Sequence, residues 1–271
     1  MKFLNHLTFG QFVPAPSIIH RLDPRCKILG TMLLLTGIFL IKHPMAFGVW
    51  ALLLLVMTFF SKLPFSLVLR SVKPVMILVV FTALIHLFFT KGTPVFQWGI
   101  ISITAEGIRM GAYMGLRLLF LVLFACFLTL TTSPMELSDG LEKLFSPLAP
   151  LGFPAHELAM MMTIALRFIP TLLDETDRIM KAQLARGANL DKGNLWQRLR
   201  AMLPVLVPLF VIVFQRADDL ATAMEARCYR GGNGRTRFKP LCWKMRDSAA
   251  LIVLILTIGL LIYIDRRVIV L

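Results

Sequence analysis

Five apolar blocks, cut apart by basic segments, constrain this chain more than any other feature of its sequence. They cover residues 28–41, 45–60, 74–90, about 107–130 and 249–264. No irregular backbone can face lipid, because its N–H and C=O groups would lack partners. Blocks like these therefore read as helices. A spanning helix needs about 20 residues, and several of these blocks are shorter. Flanking Arg, Lys and Trp can extend them by snorkelling, which gives five expected spans. Of all residues 57% are hydrophobic and only 16% charged, a balance that excludes both an ordinary soluble enzyme and disorder. The formal net charge is +14. In a soluble protein such an excess would suggest nucleic acid. Here the charge lies between apolar blocks, so the expected partner is a lipid bilayer, with no nucleic acid.

The expected fold class is an all-α integral membrane protein with about five transmembrane helices and long amphipathic cytoplasmic helices. Lys42-His43-Pro44 breaks the first two spans into a hairpin, and Pro74 suits the first turn of the third. Residues 91–106 read as a loop. Three regions result: 1–132 with four spans, 133–247 with the amphipathic helices, and 248–271 with the last span. Segments 1–27, 61–73 and 133–247 hold most of the Lys and Arg and fall on one side. The positive-inside rule puts that side, and the N-terminus, in the cytoplasm of a multi-pass plasma-membrane protein. Arg266 and Arg267, after the last span, mildly oppose this orientation. The N-terminus lacks the order of features of a cleavable signal peptide.

Region 133–247 is too polar for a row of spans and too apolar for a flexible loop. Ser133-Pro134-Met135-Glu136 has the pattern of a capped helix start. Pro147, Pro150 and Pro154 then punctuate the chain. One long helical pattern covers 155–186, and another covers 194–227, bent near Pro204 and Pro208. The apolar core of the second, 201–214, is short enough to favour a buried or interfacial helix over a span. The two patterns end alike, one in Ala185-Arg186-Gly187 and the other in Ala226-Arg227-Cys228. Each is an arginine between small residues at a helix C-terminus. Capping explains one copy: glycine suits the C′ position and arginine suits the dipole. Two copies at matching ends point instead to two similar partner sites. Small neighbours permit close approach there, and a guanidinium can enter an acidic pocket as a forked donor.

The run from Ala165-Leu166-Arg167-Phe168-Ile169-Pro170 to Asp174-Glu175-Thr176, followed by Ala182 to Gly187, resembles the transmembrane T component of energy-coupling factor transporters. Ala223 to Gly232 and the entry segment His20-Arg21-Leu22-Asp23-Pro24-Arg25 are similar to the same family, in the same order. The resemblance implies a non-catalytic coupling subunit of an ATP-driven importer. Its two crossed coupling helices would each contact one of two ATP-binding cassette subunits. A separate substrate-capture (S) membrane protein would bind a vitamin or transition-metal ion. The partner-binding residues so implied are Ala185, Arg186, Gly187, Ala226, Arg227 and Cys228. Cysteine stands at 228 where the family pattern leads one to expect glycine, which puts a positive φ there in doubt.

Other features carry less. Gly231-Gly232-Asn233-Gly234 lacks the spacing of a phosphate-binding loop and reads as a turn; no such loop occurs elsewhere. No catalytic residues, cofactor or metal site are therefore expected, and the cysteines and histidines are scattered. Asp174, Glu175 and Asp177 lie near Arg178 and Lys181, as on a solvated helix face. Arg117, inside the fourth block, is either functional or held by an ion pair or carbonyl. Met160-Met161-Met162 and Met180 suit either an adaptable surface or plain packing. A self-sufficient secondary transporter or channel is the alternative reading. It would call for paired polar residues in the spans, where only Arg117 and His86 stand out. An intramembrane enzyme would need a nucleophile–base or metal constellation that the blocks lack.

Overall fold

The computed structural model describes residues 12–41, 46–98, 101–188, 194–231 and 241–270. Eight α-helices follow in order among them: α1 Pro24–Leu40, α2 Ala46–Ser61, α3 Phe65–Phe89, α4 Ala105–Thr131, α5 Pro134–Phe145, α6 Ala155–Ala185, α7 Leu195–Ala226 and α8 Met245–Val270. Five of these are long and apolar enough to cross a membrane, and the chain is an all-α membrane protein. The count agrees with the expected five, but the set differs. By length and composition the five are α3, α4, α6, α7 from Trp196, and α8. Helices α1 and α2 have only 17 and 16 residues, about 25 Å each, short of a hydrocarbon core of about 30 Å. Helix α7 runs unbroken through Pro204 and Pro208 as expected, but it is long and apolar enough to span, where its core of 201–214 favours a buried or interfacial helix.

Two further expectations change. Helix α3 starts at Phe65, and Pro74 lies inside it rather than in its first turn. Residues expected as a loop hold an antiparallel hairpin, β1 Pro94–Trp98 with β2 Ile101–Thr104. The expected Lys42-His43-Pro44 turn lies outside the described residues.

The chain divides into two compact units, one of residues 9–141 and 241–271, the other of 1–8 and 142–240. In the first, α1, α2, α4 and α8 share an apolar core centred on Trp50, Phe124, Leu34 and Ile38, none more than 2% exposed. Trp50 meets Phe124 edge-on with centroids 5.5 Å apart. It fits because α1 has Gly37 opposite it: a Cβ there would lie 3.1 Å from the indole and 3.2 Å from Ile258. Helices α3 and α4 approach more closely still. Gly107, Gly111 and Gly115 recur every four residues, so they form one stripe along α4. A Cβ on Gly107 would come within 3.0 Å of the His86 carbonyl, and one on Gly111 within 2.9 Å of the Ala83 carbonyl.

A polar seam joins the start of α1 to the start of α8. Asp23 caps α1 by accepting from the Arg25 N–H at 3.0 Å, ahead of Pro24 in the first turn. The buried Asp247 carboxylate accepts from the Asp23 N–H at 2.9 Å and the Lys244 N–H at 2.7 Å. The buried Lys27 ammonium donates to the carbonyls of His20 at 3.1 Å and Thr131 at 3.0 Å, which ties α1 to the last turn of α4. His20 lies between Ser17 and Val13, with Nε2 3.0 Å from the Val13 carbonyl. A carbonyl can only accept, so Nε2 carries the proton. Burial holds this imidazole below its usual pKa. The entry segment that the sequence marked out is thus a cap and a clamp.

Arg117 is held by a carbonyl. Its Nη2 donates to Ile41 O at 2.9 Å, where α1 ends, and to the Tyr113 hydroxyl, which also donates to Ile41 O. The guanidinium lies 4.6 Å from the Tyr113 ring centroid and 5.9 Å from that of Phe39. Gly111→Val should drive α3 from α4, because the obstructing atom is a backbone carbonyl that cannot rotate aside. Overpacking of this kind costs about 1–3 kcal/mol, so the melting temperature in detergent should fall by several degrees. Gly115→Ala should leave it unchanged, since its Cβ would have 3.7 Å to the nearest atom.

Candidate functional site: two arginine-tipped helix ends

The second unit is built on α6 and α7, preceded by α5, a 3-10 turn at Ser146–Leu151, and Gly152. Ser133 and Glu136 cap the start of α5 reciprocally, side chain to backbone N–H, both at 3.3 Å. Helix α6 ends at Ala185 and α7 at Ala226. Beyond these ends the chain makes the same turn twice. Gly187 N–H donates to Leu184 O and Ala188 N–H to Gln183 O, each at 3.0 Å. Cys228 N–H donates to Glu225 O at 2.8 Å and Tyr229 N–H to Met224 O at 3.0 Å. Both are Schellman motifs, with Arg186 and Arg227 at the C-cap and Gly187 and Cys228 at C′.

The turn requires a left-handed residue at C′. Gly187 has φ +87°, as its lack of a Cβ allows. Cys228 has φ +53°, so the doubt raised by the cysteine is resolved in favour of the positive φ. The two hydrogen bonds outweigh a left-handed cost of about 1–2 kcal/mol for an L-residue. All six residues, Ala185, Arg186, Gly187, Ala226, Arg227 and Cys228, are exposed. Among the described residues neither arginine side chain has a hydrogen-bond or ion-pair partner. Both guanidinium groups therefore stand free at helix tips flanked by small residues.

The two tips are not brought together. Gln183, three residues before Arg186, donates from Nε2 to Pro204 O at 3.3 Å. Arg227 lies 23 residues further along α7 than Pro204, about 35 Å of helix. The contact at Pro204 has a cause in the sequence. Pro208 has no N–H, so the carbonyl four residues earlier, that of Pro204, loses its helical donor. Gln183 supplies the missing donor. Pro208 thus frees the acceptor through which Gln183 joins α6 to α7.

Asp174, Glu175 and Asp177 lie in the second half of α6. Glu175 pairs with Arg178 at 3.9 Å and Asp177 pairs with Lys181, as on a solvated helix face. Among the described residues no three His, Cys, Asp or Glu side chains are placed to hold a metal ion. Gly231 has φ +83°, while Gly232, Asn233, Gly234 and Arg237 lie outside the described residues.

Residues 15–238 match the family model of the cobalt transport protein CbiQ. A protein of Thermanaerovibrio acidaminovorans is 55% identical over 99% of this chain and all of its own length. One from Clostridium kluyveri is 51% identical, over 91% of this chain and 92% of its own. One from Bacillus subtilis is 42% identical, over 96% and 98%. All three are named energy-coupling factor transporter transmembrane protein EcfT.

The Gln183 contact can be tested by a double-mutant cycle. Gln183→Ala should destabilise the α6–α7 pair by about 1 kcal/mol, the usual net worth of one hydrogen bond. Pro208→Ala restores the helical donor to Pro204 O, so in that background Gln183→Ala should cost nearly nothing. Hydrogen exchange of the amides in α6 and α7 reads both.

Proposed function

Since the chain belongs to the family of energy-coupling factor transporter transmembrane proteins, we propose that it is the non-catalytic subunit that couples two ATP-binding cassette subunits to a substrate-capture membrane protein. The observation that carries this reading is that both helices end in the same turn, each with an exposed arginine between small residues. Two copies of a similar surface, one on each ATP-binding subunit, fit them. Each arginine would enter an acidic groove, where a forked donor gives direction as well as charge.

The lock between Gln183 and Pro204 O gives the pair the stiffness a coupling element needs, because movement at one tip is passed on through α6 and α7. Region 133–247 then lies on the cytoplasmic side of the plasma membrane, with 1–132 and 248–271 as membrane regions and the N-terminus inside. Two features support this despite the length of α6 and α7. Helix α6 is the least apolar of the five long helices. The second half of α6 carries Asp174, Glu175, Asp177, Arg178, Lys181 and Arg186, a density of charge that suits water better than lipid. The choice of cargo, a vitamin or a transition-metal ion, belongs to the capture protein. The name of the matched family, cobalt transport protein, is consistent with such an ion. Arg117 gives no support to a self-sufficient transporter, because its guanidinium is engaged by Ile41 O and Tyr113.

Arg186→Glu or Arg227→Glu should each lower co-purification of the ATP-binding subunits, and uptake, by tenfold or more. Breaking one side of a buried charge pair costs about 3–5 kcal/mol. Arg198→Glu, a charge reversal in the first turn of α7 that is not at a C-cap, should change both by less than about fivefold, as at an exposed pair. The double reversal should be worst, since the two contacts share one rigid connection. Expression and membrane insertion should be normal throughout. Normal assembly and uptake in both single variants would leave the tips as helix caps and nothing more.

A second check is topological. A cysteine introduced at Lys181 or Asp219 should be labelled by an impermeant maleimide only after the membrane is opened. Labelling of intact cells at either position would place region 133–247 outside.

A further inference from the structure

A cleft of about 450 Å³ opens in the first unit, where α2 ends and α1 and α8 begin. Arg21, Lys62 and Arg246 line it, each from a different segment, together with Ile18, Phe59 and Phe60. All three cations are exposed, none has an ion-pair partner among the described residues, and no carboxylate lines the cleft. The nearby acids are already engaged: Asp247 by the Asp23 and Lys244 N–H groups, Asp23 by Arg25. The positive charge is therefore not neutralised from within.

Lys62 is held at the end of α2 with φ +54° by its N–H to Phe59 O at 3.1 Å. The lining indicates what would neutralise the charge. The walls are apolar and uncovered: Phe59 is 81%, Ile18 61% and Phe60 50% exposed. From Phe59 the exposure continues along α2 through Val56, Leu55 and Leu52, residues at helical spacing that form one stripe leading away from the cleft. A cationic mouth continuous with an apolar stripe on a membrane helix has the chemistry of a phospholipid, with phosphate at the cations and an acyl chain along the stripe. A free anion has no use for the stripe, and an acidic protein segment has none for a greasy track running into the bilayer.

We propose that Arg21, Lys62 and Arg246 bind the phosphate of an anionic phospholipid whose acyl chain lies on the Leu52–Phe59 stripe of α2. The site rests on the proposed reading of α2 as a membrane helix, but not on how α6 and α7 dock. Its natural role is to fix the membrane depth of α1 and α2, which are too short to be held by length alone.

The test uses the full chain purified in neutral detergent and titrated with phosphatidylglycerol or phosphatidylcholine, with bound lipid counted by native mass spectrometry. Phosphatidylglycerol should bind one site at least tenfold more tightly than phosphatidylcholine. Lys62→Gln should weaken it about fivefold, and the Arg21→Gln, Lys62→Gln, Arg246→Gln triple variant should lose the preference. Arg70→Gln, also exposed but outside the cleft, should keep it. Melting temperature controls for folding; if the triple variant unfolds, the single Lys62→Gln result decides. Equal binding of both lipids, or unchanged binding in Lys62→Gln, overturns the proposal. Displacement of the lipid by millimolar inorganic phosphate would reassign the cleft to free anions. Tighter binding of a hexaglutamate peptide would reassign it to a protein partner.

Discussion

A helix leaves its last four carbonyls without internal donors, and in this protein most of the distinctive side chains answer that deficit. In water the cost is small, because solvent supplies donors. Inside a bilayer, or in a packed seam, an orphaned carbonyl costs several kcal/mol. Arg117 and Tyr113 meet the end of α1 at Ile41 O. Lys27 meets the end of α4 at Thr131 O. Gln183 meets the carbonyl that Pro208 has orphaned in α7. At the exposed ends of α6 and α7 the backbone closes the deficit itself by turning left-handed. Arg117 and Lys27 are therefore structural, whereas Arg186 and Arg227 are exposed at tips whose carbonyls the backbone has already satisfied. The same rule separates Arg117 from Arg186 and Arg227, which composition alone treats alike.

The features most legible in the sequence were those with a long physical signal. Apolar blocks had to be helices, so α4 and α8 fall close to their expected limits. The Ser133–Glu136 cap and the ends of α6 and α7 were readable because caps have fixed spacing. Expectation failed where one residue has two meanings. Pro74 was read as a first-turn residue, yet a proline ten residues into α3 is tolerated because only one backbone donor is lost. Pro204 and Pro208 lie inside α7, as the helical pattern over 194–227 leads one to expect, but the helix is apolar enough over its length to span, which its core of 201–214 does not suggest. The hairpin at 94–104 was hidden by the expectation of a loop, although Ile101-Ser102-Ile103-Thr104 alternates as a strand does.

Two contacts had a signal that went unused. The glycines at 107, 111 and 115 have the four-residue spacing of close helix packing, visible without any structure. The acceptor on α7 was also implicit, since every proline within a helix orphans a carbonyl four residues earlier. What no reading of the sequence supplies is the donor. Gln183 reaches Pro204 only because α6 and α7 cross at that level, a long-range fact set by packing. The cationic cleft is of the same kind. Arg21, Lys62 and Arg246 are scattered over 226 positions of the chain and become neighbours only when α1, α2 and α8 begin or end together.

Cys228 separates two explanations for small residues at the helix tips. If a small C′ residue served only the backbone, glycine would be the sole economical choice, because φ is positive at both ends. Cysteine accepts the left-handed conformation at some cost and still completes the motif, as the bonds to Glu225 and Met224 show. The backbone requirement is thus less strict than the glycine at 187 suggests. Size is what the two positions share. Cys228 is exposed, as Gly187 is. On the proposed docking, a surface that approaches the tip closely enough to grip the adjacent arginine would call for small residues at both ends.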